Sequence, residues 1–248
     1  MSQDFSGKRV VVTGATRGIG EACARRFAQL GGRVALVGRD QERLGKLQAE
    51  LPHGPITIAA DLGTLEGVDS VVDGVMTELG GIDVLVNNAG VDLNEPAHRM
   101  TAEAIDKSFD INVRAVLLLA SRFAKALFST QGNIVNISSI SSQGGAASQA
   151  AYAASKGAVE SLTLNLALDW GSKGVRVNCV SPGLIETEMW DALFDQLGKQ
   201  ETMSELAKGV SLGRWGSADE IASVVCFLAS DEASYVSGQI LTVNGAMA

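Results

Sequence analysis

The sequence predicts an α/β fold, a doubly wound sheet of seven parallel strands with helices on both faces, formed by one domain over residues 1–248. Short β-branched runs alternate with longer stretches of helical period along the whole chain, the pattern of βαβ units around a parallel sheet. A glycine-rich turn stands directly between the first run and the first helical stretch. No repeat, low-complexity tract or Pro/Gly/Ser linker divides the 248 residues, a length that one α/β domain commonly fills.

Strands are expected at 9–12 (Val10-Val11-Val12), 33–37 (Val34 to Val37), 56–59 (Ile56, Ile58), 84–86 (Val84-Leu85-Val86), 133–137 (Ile134, Val135, Ile137), 175–180 (Val175, Val177, Val180) and 240–243 (Ile240, Leu241, Val243). Between them, helices are expected at 19–30, 40–51, 65–79, 101–128, 151–170 and 218–228, each long enough to cross back over a sheet. Residues 186–210 break this rhythm, being helix-friendly but with no clear strand after them. An insertion beyond a strand's carboxyl end lies where doubly wound folds bind ligands, so this segment reads as a substrate lid; an ordinary surface helix pair is the alternative.

Hydrophobic residues make up 46% and charged residues 19%, which supports a sizeable core and excludes a disordered chain. Twenty basic against 28 acidic residues give a net charge of -8, which works against a broad grip on nucleic acid or an anionic membrane. Cys23, Cys179 and Cys226 are far apart and form no C-x-x-C pair, so they read as small core residues rather than a disulfide framework or zinc cage. His53 and His98 are the only histidines, too few for a His-rich metal site, and no metal is expected. No apolar run approaches the roughly 18 residues of a membrane span, and the first residues lack a basic-then-apolar leader pattern. A soluble, cytoplasmic protein that binds neither nucleic acid nor membrane is expected.

The turn after the first strand reads Thr13-Gly14-Ala15-Thr16-Arg17-Gly18-Ile19-Gly20. Glycines there let the backbone approach a pyrophosphate, whose charge is met by free N–H groups and the positive end of the following helix. Its spacing is G-x-x-x-G-x-G, and a purely structural turn is the alternative; the position at the first βα junction points to a dinucleotide. At the end of the second strand, where a carboxylate would bond an NAD ribose, stand Gly38 and Arg39. Arg39, with Arg17, offers cationic contacts to a 2′-phosphate, which favours NADP(H) over NAD(H), unless Arg39 only pairs with Asp40 or Glu42. Asp61-Leu62, after the third strand, can accept the adenine amino group or cap the next helix. Asn87-Asn88-Ala89-Gly90, after the fourth, can stabilise the sheet's rim while Gly90 leaves room for a ribose, or form a plain turn.

Tyr152 and Lys156 stand four residues apart, on one face of the helix after the fifth strand. A nearby ammonium favours the phenolate and brings the phenol closer to neutral pH, which makes Tyr152 a candidate proton donor and acceptor; a solvated helix face is the alternative.

Taken in order, Thr13 to Gly20, Asp61, Asn87 to Gly90, Asn112, Ser139, Tyr152 with Lys156, and Pro182-Gly183 resemble the motifs of the short-chain dehydrogenase/reductase family, in its compact single-domain branch, over residues 7–245. Residues 84–125 and the Gly38-Arg39 junction look most like NADPH-dependent carbonyl reductases of the dicarbonyl/L-xylulose reductase type. The resemblance implies a Rossmann-type NAD(P)-binding catalytic domain that transfers hydride between NADP(H) and a carbonyl or secondary alcohol carbon. It makes Tyr152 the general acid or base, Lys156 its partner and a ribose ligand, Ser139 the polariser of the substrate oxygen, and Asn112 the holder of a water leading from Lys156 to solvent. Cofactor contacts are then expected from Gly14, Thr16, Arg17, Gly18, Ile19, Arg39, Asp61, Leu62, Asn88, Ala89, Gly90, Tyr152, Lys156, Pro182, Gly183, Ile185 and Thr187. One departure stands out: Asn244-Gly245-Ala246 replace the family's acidic residue and two glycines, which bears on tail packing rather than chemistry.

Substrate contacts are expected from residues 92–94, from the loop 141–149 and from Met189, Trp190, Leu193 and Phe194 in the lid. Gln149 can bond a hydroxyl beside the reacting carbon, and the lid suits an apolar ketone or diketone equally well. The alternatives are an NAD(H)-linked alcohol or polyol dehydrogenase and, from another class, a non-catalytic NADP-binding regulator. The resemblance also implies a homotetramer assembled through helices 101–128 and 151–170 and the last strand.

Overall fold

Successive valines of the first strand point to opposite sides, Val10 and Val12 into one apolar cluster and Val11 into another, as the two-residue period of a strand requires. The same division holds for Val84 and Val86 against Leu85, so both sheet faces are covered and the strands read as near-continuous apolar runs. In the computed structural model, which describes residues 3–191, 194–195 and 198–247, seven parallel strands run in the order β3-β2-β1-β4-β5-β6-β7. They are β1 (Arg9–Thr13), β2 (Arg33–Gly38), β3 (Ile56–Ala59), β4 (Val84–Asn87), β5 (Asn133–Ile137), β6 (Arg176–Pro182) and β7 (Ile240–Val243). The expected strands are all present, with β6 moved towards its carboxyl end because Ser181 and Pro182 pair with Thr242 and Val243 of β7.

One face carries α1 (Gly18–Gln29), α2 (Gln41–Glu50) and a late helix at Ala218–Ala229, whose Phe27, Leu44 and Ile221 are fully buried. The other carries α3 (Leu65–Glu78), α5 (Ala115–Thr130) and α7 (Ala150–Trp170), with Val71, Phe123 and Leu166 in its core. Each such side chain contributes about 1.5–3 kcal/mol by leaving water. Local signals set the helix starts: Asp40, Thr64 and Thr101 accept N-terminal N–H groups, and Ser217 forms a reciprocal capping box with Glu220.

Residues 101–128, expected as one helix, are three: α4 (Ala102–Phe109), a π-helical turn at Asp110–Arg114, and α5. The wide turn, a feature frequent at functional sites, carries Asn112. Within 141–149, a single turn, α6 (Ser141–Gly144), precedes α7. The segment expected as a lid holds a 3-10 turn at Glu188–Trp190 and α8 (Lys199–Ala207), leaving the Ala218–Ala229 helix as α9. Trp190 and Phe194 pack on Trp215 with ring centroids 4.9 and 5.8 Å apart. The chain tail is ordered against this unit, with Leu212 N–H donating to Gly245 and Ser211 N–H to Ala246.

The chain winds outward from β1 to β3 and then crosses to β4 on the other side of β1. Loops leaving β1 and β4 therefore diverge, and the crevice they open at the carboxyl ends of the strands is where such sheets bind ligands.

Candidate active site

A cavity of about 1190 Å³ occupies that crevice. Its floor is the turn after β1, where Gly14 and Gly18 take φ of +65° and +55°, a region that favours glycine. Packing is tight behind it: a Cβ on Gly20 would lie 2.1 Å from the Gly14 oxygen. The first N–H groups of α1 have no partner within the helix, so the floor offers donors and the positive end of a helix dipole, the chemistry a pyrophosphate needs. Asn88 holds the rim together, donating from Nδ2 to the oxygens of Thr13 and Gly14, while Thr13 Oγ1 accepts from the Asn88 and Ala89 N–H groups.

At one end of the crevice, a Cβ on Gly38 would sit 2.7 Å from Thr16 Cγ2, so a carboxylate side chain there would have to displace Thr16. Arg39 is exposed on the wall and, among the described residues, makes no ion pair: Asp40 caps α2 and pairs with Arg43, and Glu42 pairs with Lys46. Arg17 lies 3.9 Å from Glu188, which also pairs with Arg43 at 2.8 Å. Asp61 accepts from Gly63 N–H, and the cap of α3 is Thr64, so Asp61 does not serve as that cap.

At the other end stand Tyr152 and Lys156, one turn apart on α7 and both buried. Lys156 Nζ donates to the Ile137 oxygen at 2.8 Å and lies 5.6 Å from the Tyr152 ring centre. Burial pulls the Lys156 ammonium down to about 8 and pushes the Tyr152 phenol up to about 12 against the pull of the Ser139 hydroxyl. The expected downward pull of Lys156 is not among the influences that shift the phenol; desolvation dominates in the protein alone, and Tyr152 is held in its proton-bearing form.

Asn112 is fully buried behind Gly90 rather than in the cavity wall: a Cβ on Gly90 would meet Asn112 Oδ1 at 3.2 Å and Lys156 Nζ at 3.3 Å. Its amide braces the backbone of Val91 in both directions, at 2.8 and 2.9 Å, and donates to Ser155 Oγ at 2.9 Å. Ser139 is fixed from its own turn, donating to Ser141 Oγ and accepting from Ser141 N–H, both at 3.2 Å. That turn is clamped to α7 by Glu160, whose Oε1 accepts from Ser138 Oγ at 2.8 Å and Ser142 Oγ at 2.6 Å. Sequence reasoning missed Glu160, although its place four residues after Lys156 puts it on the same helix face.

Beyond β6, Ile140 N–H bonds the Pro182 oxygen, and the chain passes Ile185 to bring Thr187 against Gly18. Every expected cofactor residue, from Gly14 to Thr187, lines this one cavity. Asp92, Asn94 and Gln149 line it too, as do Met189 and Trp190, but Phe194 turns into the Trp215 cluster instead and Leu193 lies outside the described residues. Leu206 and Met247 complete the apolar wall. Met247 carried no sequence signal, since only the fold of the tail brings it there.

Asp92 is half-buried, and burial raises its carboxyl while Asn94, Gln149 and Lys156 oppose the rise. Gln149 Nε2 donates to its Oδ2 at 2.6 Å, whereas Oδ1 is buried without a hydrogen bond. Among the described residues no group of three or more His, Cys, Asp or Glu is placed to hold a metal, and no helix is long and apolar enough to cross a membrane.

A family model described as Enoyl-(Acyl carrier protein) reductase matches residues 14–247. Gluconate 5-dehydrogenase of Gluconobacter oxydans is 36% identical over 97% of this chain and 94% of its own. Human L-xylulose reductase is also 36% identical, over 97% of this chain and 96% of its own. The solved structure of L-sorbose reductase from Gluconobacter frateurii, complexed with NADPH and L-sorbose, superposes with a TM-score of 0.94 at 32% identity, covering 100% of this chain and 98% of that one. Relatives with different substrates in their names thus stand at nearly equal distance, and the expected closeness to the L-xylulose reductase type is not singled out from the rest.

Proposed function

The chain belongs to the short-chain dehydrogenase/reductase family and is a nicotinamide-dependent oxidoreductase acting on alcohol and carbonyl groups; on that premise we propose that it uses NADP(H), with Tyr152 as general acid and base, to interconvert a ketone, diketone or ketose and its secondary alcohol. The observation that carries this reading is the convergence of Ser139, Tyr152 and Lys156 at one end of a cavity whose other end presents Arg39, without an ion pair among the described residues, beside Gly38.

The nicotinamide, when bound, supplies or takes the hydride. Tyr152 donates its proton to the carbonyl oxygen during reduction; burial keeps that proton on the phenol at neutral pH in the protein alone. Ser139 polarises the same oxygen, held to its task by the Ser141 N–H. Lys156 keeps a positive charge near the phenol and offers an ammonium to the nicotinamide ribose, while Asn112 Oδ1, next to it at Gly90, receives a water on the way to solvent. Arg39 and Arg17 take the 2′-phosphate, the turn Gly14 to Ile19 the pyrophosphate, Asp61 and Leu62 the adenine, and Asn88, Ala89 and Gly90 the adenosine ribose. Pro182, Gly183, Ile185 and Thr187 clamp the carboxamide and phosphate.

Residues 186–210 serve as the substrate lid, with Met189 and Trp190 on its inner side. Exposed Leu117 on α5 and Leu164 and Leu168 on α7 support a homotetramer packed through these helices. Three free, buried cysteines suit a cytoplasmic setting. Titration with NADPH and NADH by fluorescence, followed by absorbance at the nicotinamide band with diketones, ketoses, aldehydes and cyclic ketones, tests the reading. Oxidation of NADPH by one carbonyl class is expected; tighter binding of NADH, or NADPH binding without turnover of any class, would overturn it.

A further inference from the structure

We infer that Asp92 is a charge filter at the substrate end of the cavity, admitting neutral carbonyl compounds and turning away those that carry a carboxylate beside the reacting carbonyl; this rests on the oxidoreductase reading of the same site. Asp92 lines the cavity together with Ser139 and Tyr152. Among the described residues no lysine or arginine forms an ion pair with it, and the nearby ammonium, Lys156, is tied to the Ile137 oxygen. Its Oδ1 is buried and without a hydrogen bond, while Oδ2 accepts from Gln149 Nε2 and the Asn94 side chain also favours the charged form. A half-buried carboxylate on the cavity wall, with no cation bonded to it among the described residues, projects part of its field into the substrate end of the cavity.

The carboxylate is also held in place. Gln149 donates to it from Nε2 and accepts from Ser141 Oγ at 2.8 Å through Oε1. Turning the amide over would set Oε1 against Oδ2, two acceptors face to face, so the brace has one orientation. The field reaches the reacting groups, since Asp92 acts to raise both the Tyr152 phenol and the Lys156 ammonium. A second anion brought next to Tyr152 meets like-charge repulsion in a partly desolvated cleft, whereas a neutral carbonyl or hydroxyl at the same place does not.

The test uses 2,3-butanedione and pyruvate, which have nearly the same shape and differ in exchanging an acetyl for a carboxylate. Dissociation constants of both from the protein saturated with NADP+, which cannot reduce them, are read by tryptophan fluorescence, in parallel with kcat/KM for NADPH-dependent turnover, for wild type, Asp92→Asn and Gln149→Met. Wild type is expected to prefer the diketone, and Asp92→Asn to cut that preference roughly 10- to 100-fold, mainly through tighter pyruvate, the size that one partly desolvated like-charge contact produces. Gln149→Met, which keeps the charge, is expected to retain most of the preference. A preference unchanged within twofold in Asp92→Asn, with NADPH affinity intact, overturns the filter. An altered preference without turnover of either compound overturns the oxidoreductase reading while the filter stands, and binding of neither overturns both.

Discussion

Lys156 Nζ donates to the Ile137 oxygen at 2.8 Å, so a fully buried ammonium on α7 is pinned to the last residue of β5. Sheet and helix are thereby locked in the register that keeps Tyr152 beside Ser139. The arrangement is costly for the fold, because an ammonium leaves water for a site with no carboxylate bonded to it.

This cost has a pH signature. Lys156 titrates at about 8 in the fold against 10.5 for an ordinary lysine, so between these values the unfolded chain binds more protons and stability rises with pH. The penalty is complete below about pH 8 and gone above 10.5, and amounts to roughly 3 kcal/mol. Lys156→Met, compared with wild type by urea denaturation at pH 7, 8.5 and 10, is expected to lose most of its relative stability advantage across that range. A pH-independent difference would show that the ammonium is not desolvated.

Arg39 makes no ion pair among the described residues, and Gly38 leaves no room for a carboxylate beside Thr16. Arg39→Asp is therefore expected to lower the NADPH-to-NADH ratio of kcat/KM by roughly 100-fold, through loss of a phosphate partner and gain of a ribose acceptor. An unchanged ratio in steady-state kinetics would remove the 2′-phosphate assignment.

Glu160 fixes Ser138 and Ser142 on either side of Ser139 with one oxygen. Glu160→Ala should lower kcat about tenfold with NADPH affinity kept, since one buried and one half-buried hydroxyl lose a charged acceptor, while Glu160→Gln retains an acceptor and most of the rate. Equal loss in the two variants would mean that the carboxylate acts otherwise than by holding the turn.

Ala246 sits at φ +56°, in the left-handed region, at the position where the family pattern carries its second glycine. Ala246→Gly is expected to stabilise the protein by about 0.5–1 kcal/mol, the relief of Cβ strain less the added entropy of the unfolded chain. A fall in Tm on this substitution would contradict the strain.

Sheet, helices and the glycine-rich floor of the cavity were legible because each depends on short-range chemistry: valine runs, caps, and glycines at a strand–helix junction. The π turn at Asp110–Arg114 was not, since its widening goes with the bonds Asn112 makes to Val91 and Ser155, 21 and 43 residues away. Phe194 looked like a substrate contact from its apolar neighbourhood, yet Trp215, far along the chain, draws it away from the cavity. The Tyr152–Lys156 spacing was right as geometry, while the balance between charge and desolvation depended on burial that spacing does not encode.

The most direct test of the central claim is NADPH oxidation with a neutral carbonyl compound by wild type and Tyr152→Phe, each with NADPH affinity measured on the same preparation. The phenol oxygen is the proposed proton donor, so the variant is expected to bind NADPH within a few-fold of wild type and to lose at least about 100-fold in kcat, the lower end of what a positioned acid contributes. Full activity in Tyr152→Phe would contradict it.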